Sequence, residues 1–109
     1  MELESKMLTK EQALALLTRK LERIDSSRYD PVVDDRNTIE RPFGWVFYYN
    51  SRKFIETGSD RYRLLGPGPV IVDRHSGVIK FFGSDTSDEE AIEEYERELE
   101  GGRGQSKPK

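Results

Sequence analysis

Residues 44–50, Gly44-Trp45-Val46-Phe47-Tyr48-Tyr49-Asn50, hold a dense run of aromatic and β-branched side chains. Such residues suit a pleated surface. Alternation at period two puts Trp45, Phe47 and Tyr49 on one side of a strand and Val46 and Tyr48 on the other. Both sides are apolar, so the run reads as a central strand covered on both faces.

The coverage comes from either end of the chain. Upstream, Thr9-Lys10-Glu11-Gln12 reads as a capping box, in which the Thr9 hydroxyl and the Gln12 side chain each satisfy an orphan amide of a helix start. Leu14, Leu17, Leu21 and Ile24 then recur at helical spacing, widened by Ala13 and Leu16, and predict a helix from about Lys10 to about Asp25 with one face on a sheet. Downstream, Ser87-Asp88-Glu89-Glu90 is a second capping box, its acids complementing the positive end of the helix dipole. Ala91, Ile92, Tyr95 and Leu99 form the stripe of that second helix, which Gly101-Gly102 is expected to end.

Between the helices, Ser26-Ser27-Arg28-Tyr29-Asp30-Pro31 reads as a break, because Pro31 disfavours helix at Asp30. Val32 to Arg41, with Asp34 and Asp35 inside it, predicts an edge strand or part loop, and Pro42 interrupts again. Ser51 to Leu65 is less regular, with a turn at Thr57-Gly58-Ser59-Asp60 and one helical turn from Asp60 to Leu65. Gly66-Pro67-Gly68-Pro69 reads as a stop. Val70-Ile71-Val72 is a short buried strand, Asp73-Arg74-His75-Ser76-Gly77 a hairpin loop with Gly77 free to take a positive φ, and Val78 to Phe82 the returning strand. The reading is therefore α+β: an N-terminal helix, three or four antiparallel strands, and a C-terminal acidic helix. One domain is expected over residues 9–100, with residues 1–8 and a basic tail, 101–109, disordered.

Composition narrows the function classes. The 109 residues include no cysteine, which removes disulfide frameworks, thiolate metal sites and cysteine nucleophiles and fits a reducing, cytoplasmic setting. No stretch approaches the ~18–20 apolar residues of a membrane span, and Ala13 to Leu17 is too short for a signal sequence. Hydrophobic residues make up 34% of the chain, so the aromatics are needed as core. That need, with the overall acidity, sets aside the alternative in which Trp45, Phe47 and Tyr49, with Arg41, Arg52 and Lys53 at the ends, form a stacking platform for single-stranded nucleic acid.

His75 is the single histidine, and Ser76 beside it in a hairpin loop cannot supply the geometry of a triad by sequence adjacency. Asp85, Asp88, Glu89 and Glu90 lack the spacing of a calcium loop and read as a solvated helix start. No catalytic residue, metal or cofactor is expected, and no nucleic acid, membrane or small-molecule substrate. Charge is the feature that remains. Residues 85–100 hold nine acids and only Arg97, a sum of −8, while residues 31–84 sum to +2. A solvated face explains such a run; so does a surface that steers a basic partner. Glu89, Glu93, Glu96 and Glu100, three or four apart, are expected to share a helix face turned away from Ile92, Tyr95 and Leu99. Arg52, Arg61 and Arg63 are a second candidate partner-binding set.

Gly44 to Ser51, Phe54-Ile55-Glu56-Thr57-Gly58, Leu65-Gly66, Pro69 to Asp73, Ser76-Gly77-Val78-Ile79, Gly83 and Glu94-Tyr95 together resemble the immunity protein 35 family, also described as YrhB-like domains. The chain departs from the pattern at Gly66-Pro67-Gly68-Pro69, where a Gly-Asn or similar pair precedes the proline. The resemblance implies an α+β domain that binds and neutralises a cognate bacterial toxin stoichiometrically inside the producing cell, with no catalytic residues to carry over. Some relatives are described instead as chaperone-like, so a housekeeping protein binding exposed apolar surface of clients stands as the alternative.

Overall fold

A computed structural model describes residues 7–24 and 30–104 of the chain, with side-chain surroundings given for all of these except residues 24 and 102–104. Helix α1 spans Lys10–Ile24, strand β1 Pro31–Arg41, β2 Gly44–Ser51, helix α2 Arg52–Thr57, a 3-10 turn Asp60–Tyr62, β3 Pro67–Asp73, β4 Ile79–Gly83, and helix α3 Asp88–Gly104. The expected break at residues 26–29 and the expected disorder of residues 1–6 and 105–109 lie outside the described residues.

The strands form one antiparallel sheet in the order β1-β2-β3-β4, with β2 and β3 in the middle. Trp45 pairs with Val72, Val46 with Ile71 and Phe47 with Val70 across those two strands. Period-two alternation then divides the core. On one face Ala13, Leu17 and Leu21 of α1 pack on Trp45, Phe47, Val70 and Val72, with Tyr49, Ile79 and Phe81 alongside. On the other, Ala91, Ile92 and Tyr95 of α3 pack on Phe43, Val46 and Ile71, with Tyr48 and Phe82 alongside. The fold is a three-layer α+β sandwich, helix on sheet on helix. The aromatic strand is core on both faces, as its composition predicted: Trp45 keeps 2% of its surface and Phe47 none.

Both capping boxes form. The Thr9 amide donates to Gln12 Oε1 at 2.9 Å and the Gln12 amide to Thr9 Oγ1 at 3.1 Å. The Ser87 amide donates to Glu90 Oε1 at 3.0 Å and the Glu90 amide to Ser87 Oγ at 3.1 Å. The β1–β2 hairpin turns at Pro42-Phe43, with Arg41 paired to Gly44. Gly44 has φ 149°, and a Cβ there would stand 2.0 Å from the Val72 carbonyl oxygen, so close approach of β3 demands glycine.

Three local expectations are corrected. Pro67-Gly68-Pro69 belongs to β3 rather than stopping the chain before it. The ladder jumps from Pro67–Gly83 to Val70–Phe81, so the prolines sit where it is interrupted, and Gly68 admits the Gly83 carbonyl, 2.0 Å from where a Cβ would lie. Arg52–Thr57 is helical, not irregular: Ser51 caps its start, accepting from the Phe54 amide at 3.0 Å, and Gly58 closes it at φ 74°. Helix α3 runs through Gly101-Gly102 to Gly104, because glycine weakens a helix without forbidding it.

Candidate partner-binding surface

Helix α3 carries its acids on two flanks of the stripe that docks on the sheet. At about 100° per residue, Glu94 and Glu98 fall on one side of Ile92, Tyr95 and Leu99, and Glu89, Glu93, Glu96 and Glu100 on the other. Strand β4 distinguishes the two flanks. Lys80 projects between Glu94, at 3.6 Å, and Glu98, which it meets in a closer ion pair. That hydrogen bond to Glu98 is the main reason the Lys80 ammonium is held above its ordinary range. Glu89, Glu93, Glu96 and Glu100 are all exposed, and no ion pair joins them to the described residues.

The four glutamates lie on one flank by helical spacing, but they do not all turn away from the apolar stripe as expected. Glu96 and Glu100 stand over a groove floored by Phe43, Tyr95 and Leu99 and closed on the far side by Pro42, His75 and Val78. Its volume is about 910 Å³. The floor is fixed by a buried polar hub. Asp73, 3% exposed, accepts from the Tyr95 hydroxyl at 2.7 Å on one carboxylate oxygen. Its other oxygen accepts from the backbone amides of His75 at 2.7 Å and Ser76 at 2.9 Å. Burial alone would push the Asp73 carboxyl up; the bonds from Tyr95, Ser76 and His75 and the His75 charge outweigh it and hold the group below the usual carboxylate range. Burial, then the bond to Asp73, pushes the Tyr95 hydroxyl well up. Phe43 meets the Tyr95 ring edge-on at 5.2 Å between centroids.

Asp73 accepts from the two turn amides and from Tyr95, so its hydrogen bonds orient backbone rather than the His75 imidazole. Ser76 Oγ accepts from the Val78 amide at 3.2 Å, a turn contact. Asp88 Oδ1 accepts from the Glu89 amide at 2.7 Å, which ties the acids at the helix start to the backbone. Among the described residues no group of three or more His, Asp or Glu side chains is placed to hold a metal ion. No helix among them is long and apolar enough to cross a membrane.

The arginine set lies elsewhere. Asn50 and Ser51, at the end of β2, organise it: Asn50 Oδ1 accepts from the Leu64 amide at 2.7 Å, and Ser51 Oγ donates to the Tyr62 carbonyl at 2.6 Å. Arg52 pairs with Asp30 at 2.6 Å and Arg63 with Asp60 at 3.2 Å, while Arg61 is exposed on the 3-10 turn. Glu96 and Glu100 border Pro42 and Phe43, before the start of β2, whereas the arginines follow its end. The two candidate sets are therefore separate surfaces. Arg52 and Arg63 already hold acidic partners; the glutamate flank holds none among the described residues.

Sequence reasoning missed the groove and Lys80. One signal was present. Period two places Ile79 and Phe81 on the α1 face and hence Val78 on the α3 side, where it stands 49% exposed.

A family model described as "Immunity protein 35" matches residues 11–98. The chain belongs to the immunity protein 35 family. The match runs from α1 through β1 to β4 and into α3, so it takes in both faces of the sandwich and most of the acidic flank. A relative in Escherichia coli K12, described as uncharacterized protein YrhB, is 42% identical over 53 residues. That alignment covers 49% of this chain and 56% of the relative, so the chain spans little more than half of it. No solved structure matches the chain.

Proposed function

We propose that this member of the family is a stoichiometric inhibitor of a cognate bacterial toxin, which it binds in the cytoplasm of the producing cell without turnover of any substrate. Family membership supports the class. The observation that carries the surface is the flank of α3 formed by Glu89, Glu93, Glu96 and Glu100, which has no ion pair among the described residues, whereas Lys80 pairs with Glu94 and Glu98 on the opposite flank. Unpaired charge of one sign raises the encounter rate with a basic surface by roughly 10–10³-fold and is screened by salt. A toxin whose cleft is basic, as a nuclease cleft is in order to hold phosphates, presents such a surface, and the flank occupies it in place of substrate.

The chaperone-like alternative needs a contiguous exposed apolar patch. Only three large hydrophobic residues are exposed among those described, Met7, Leu65 and Val78. Met7 and Val78 both lie beside Pro42 and His75 and Leu65 is in the loop before β3, and so small a number favours the inhibitor. The test takes as the candidate toxin the product of the gene next to this one. Titration should give a 1:1 complex and loss of toxicity on co-expression. Reversing Glu89, Glu93 and Glu96 to Lys should slow association at low salt and leave the rate at high salt little changed. An association rate indifferent to both salt and charge reversal moves the interface off α3, with Arg52, Arg61 and Arg63 the next surface to vary.

A further inference from the structure

The charged flank accounts for encounter but not for retention, because exposed charges hold a complex weakly and buried anchors hold it tightly. The groove beside the flank has the build of an anchor site. Its walls are mostly apolar, from Pro42, Phe43, Val78, Tyr95 and Leu99, with His75 and Ser76 on the side of the turn after β3. Its floor is preorganised: Phe43 is locked against Tyr95, Tyr95 is pinned to Asp73, and Asp73 holds the His75-Ser76 turn that ends at Val78. A half-exposed valine at the mouth, over a floor that cannot collapse, leaves apolar surface wet in the free protein. The rim is acidic on the α3 side, where Glu96 and Glu100 stand without an ion pair among the described residues.

We infer that this groove receives one apolar side chain of the partner protein with a lysine or arginine beside it, the apolar group entering between Val78, Phe43 and Leu99 and the cation meeting Glu96 and Glu100. The inference rests on the inhibitor reading for the partner's identity, but not for the chemistry of the groove. Charge complementarity selects the occupant: an apolar segment flanked by acids meets the rim with like charge, and a purely basic segment leaves the apolar walls unfilled. The groove is thus the specificity pocket, and the rest of the flank is the steering surface.

Two arms separate the groove from the inhibitor reading. In the first, the ¹⁵N-labelled full chain is titrated with the blocked peptide acetyl-Gly-Phe-Arg-Gly-amide. Saturable shifts are expected at the amides of His75, Val78 and Leu99, with a dissociation constant on the order of 1 mM. Replacing Phe by Ser, or Arg by Glu, in the peptide should weaken binding about tenfold. Val78→Glu should abolish the shifts, and the double variant Glu96→Gln/Glu100→Gln should erase the preference for Arg over Glu while keeping that for Phe over Ser. Leu65→Ser, on an exposed loop remote from the groove, should change nothing. Absence of saturation, equal binding of the Ser-Arg peptide, or shifts centred elsewhere would each overturn the inference. So would a need to delete residues 105–109 before the peptide binds, which makes the chain's own tail the occupant. In the second arm the toxin replaces the peptide: Val78→Glu should speed dissociation about tenfold or more, while association, steered by the acids, does not slow. If the peptide binds and no toxin complex forms, the inhibitor reading fails and the groove stands. If charge reversal on α3 slows toxin association while Val78→Glu has no effect on its dissociation, the groove fails and the inhibitor reading stands.

Discussion

The two faces of the sheet solve the same packing problem differently. On the α1 side the buried contact between helix and strands is apolar, Ala13, Leu17 and Leu21 against Trp45, Phe47, Val70 and Val72, with one exposed ion pair, Lys10 to Asp35 at 3.2 Å, at its edge. On the α3 side, apolar packing is combined with directional contacts: Tyr95 on Asp73, and Lys80 between Glu94 and Glu98. Burial, with the charge of Asp88 close by, pushes the Tyr48 hydroxyl up to about 12 on this same side. The first arrangement is filled and has little left to offer a partner. The second fixes its parts by hydrogen bonds and so can leave a groove open without losing its shape. The proposed recognition surface lies on the face whose packing is directional.

The largest effect should come from emptying the filled face. Trp45→Ala removes the biggest side chain of the α1 cluster, which also lies under the Arg74 guanidinium at 4.6 Å. Destabilisation of roughly 3–5 kcal/mol is expected, because a small core cannot collapse around such a void. Urea denaturation measures it. A variant that unfolds like the parent but fails to bind the toxin would break the comparison, since Trp45 would then be an exposed anchor rather than core.

Next in size is the hub of the directional face. Asp73→Ala strands three donors, the Tyr95 hydroxyl and two backbone amides, at a cost of about 2–3 kcal/mol. Its pH dependence has a definite sign. The folded-state carboxyl is held below its ordinary value, so its contribution is complete above about pH 4 and is lost as pH falls through the depressed folded value. An acid-denaturation profile should therefore lose part of its steepness in Asp73→Asn, which keeps an acceptor for the turn but has no proton to bind. Equal acid limbs in parent and variant would mean that Asp73 does not differ between folded and unfolded states.

These sizes bear on what a sequence reveals. The strand at Gly44–Ser51, both capping boxes and both helix stripes were legible because each is written in residues next to one another. Helix α2 was not, because it is six residues long and buries none of them completely, so it has no stripe to read. Pro67-Gly68-Pro69 misled because two prolines argue against a strand unless a partner backbone closes on the glycine, and Gly83 is fifteen positions away. The glutamate flank was legible as a spacing. Which acids were already engaged was not, since Lys80 sits on another element. The groove was hidden for the same reason: its walls come from the Pro42-Phe43 turn, the turn after β3, and the last turns of α3.

Tyr95→Phe sharpens the comparison further. It keeps the ring that meets Phe43 and removes only the bond to Asp73, so a loss of about 1 kcal/mol is expected. The sign on the basic side is opposite to that of Asp73. Folding raises the Tyr95 hydroxyl, so its stabilisation is complete below about pH 10 and is lost as pH rises through the folded value. Alkaline unfolding should be shallower in the variant.

The smallest effects compare the two flanks of α3 with each other. Glu94→Lys/Glu98→Lys brings three cations together where Lys80 now holds two acids, and the melting temperature should fall by a few degrees. Glu93→Lys/Glu96→Lys lies on the flank with no ion pair among the described residues, past the first helical turn where the dipole rewards acids. It removes repulsion from a segment of charge −8, so the melting temperature should stay within about a degree of the parent or rise. Calorimetric melts at low and at moderate salt measure both. The contrast has to shrink as salt is added, because it is Coulombic and surface-borne. If both reversals cost the same, Lys80 is not what distinguishes the flanks, and the unpaired glutamates are held by contacts that make them part of the fold instead of a surface kept for a partner.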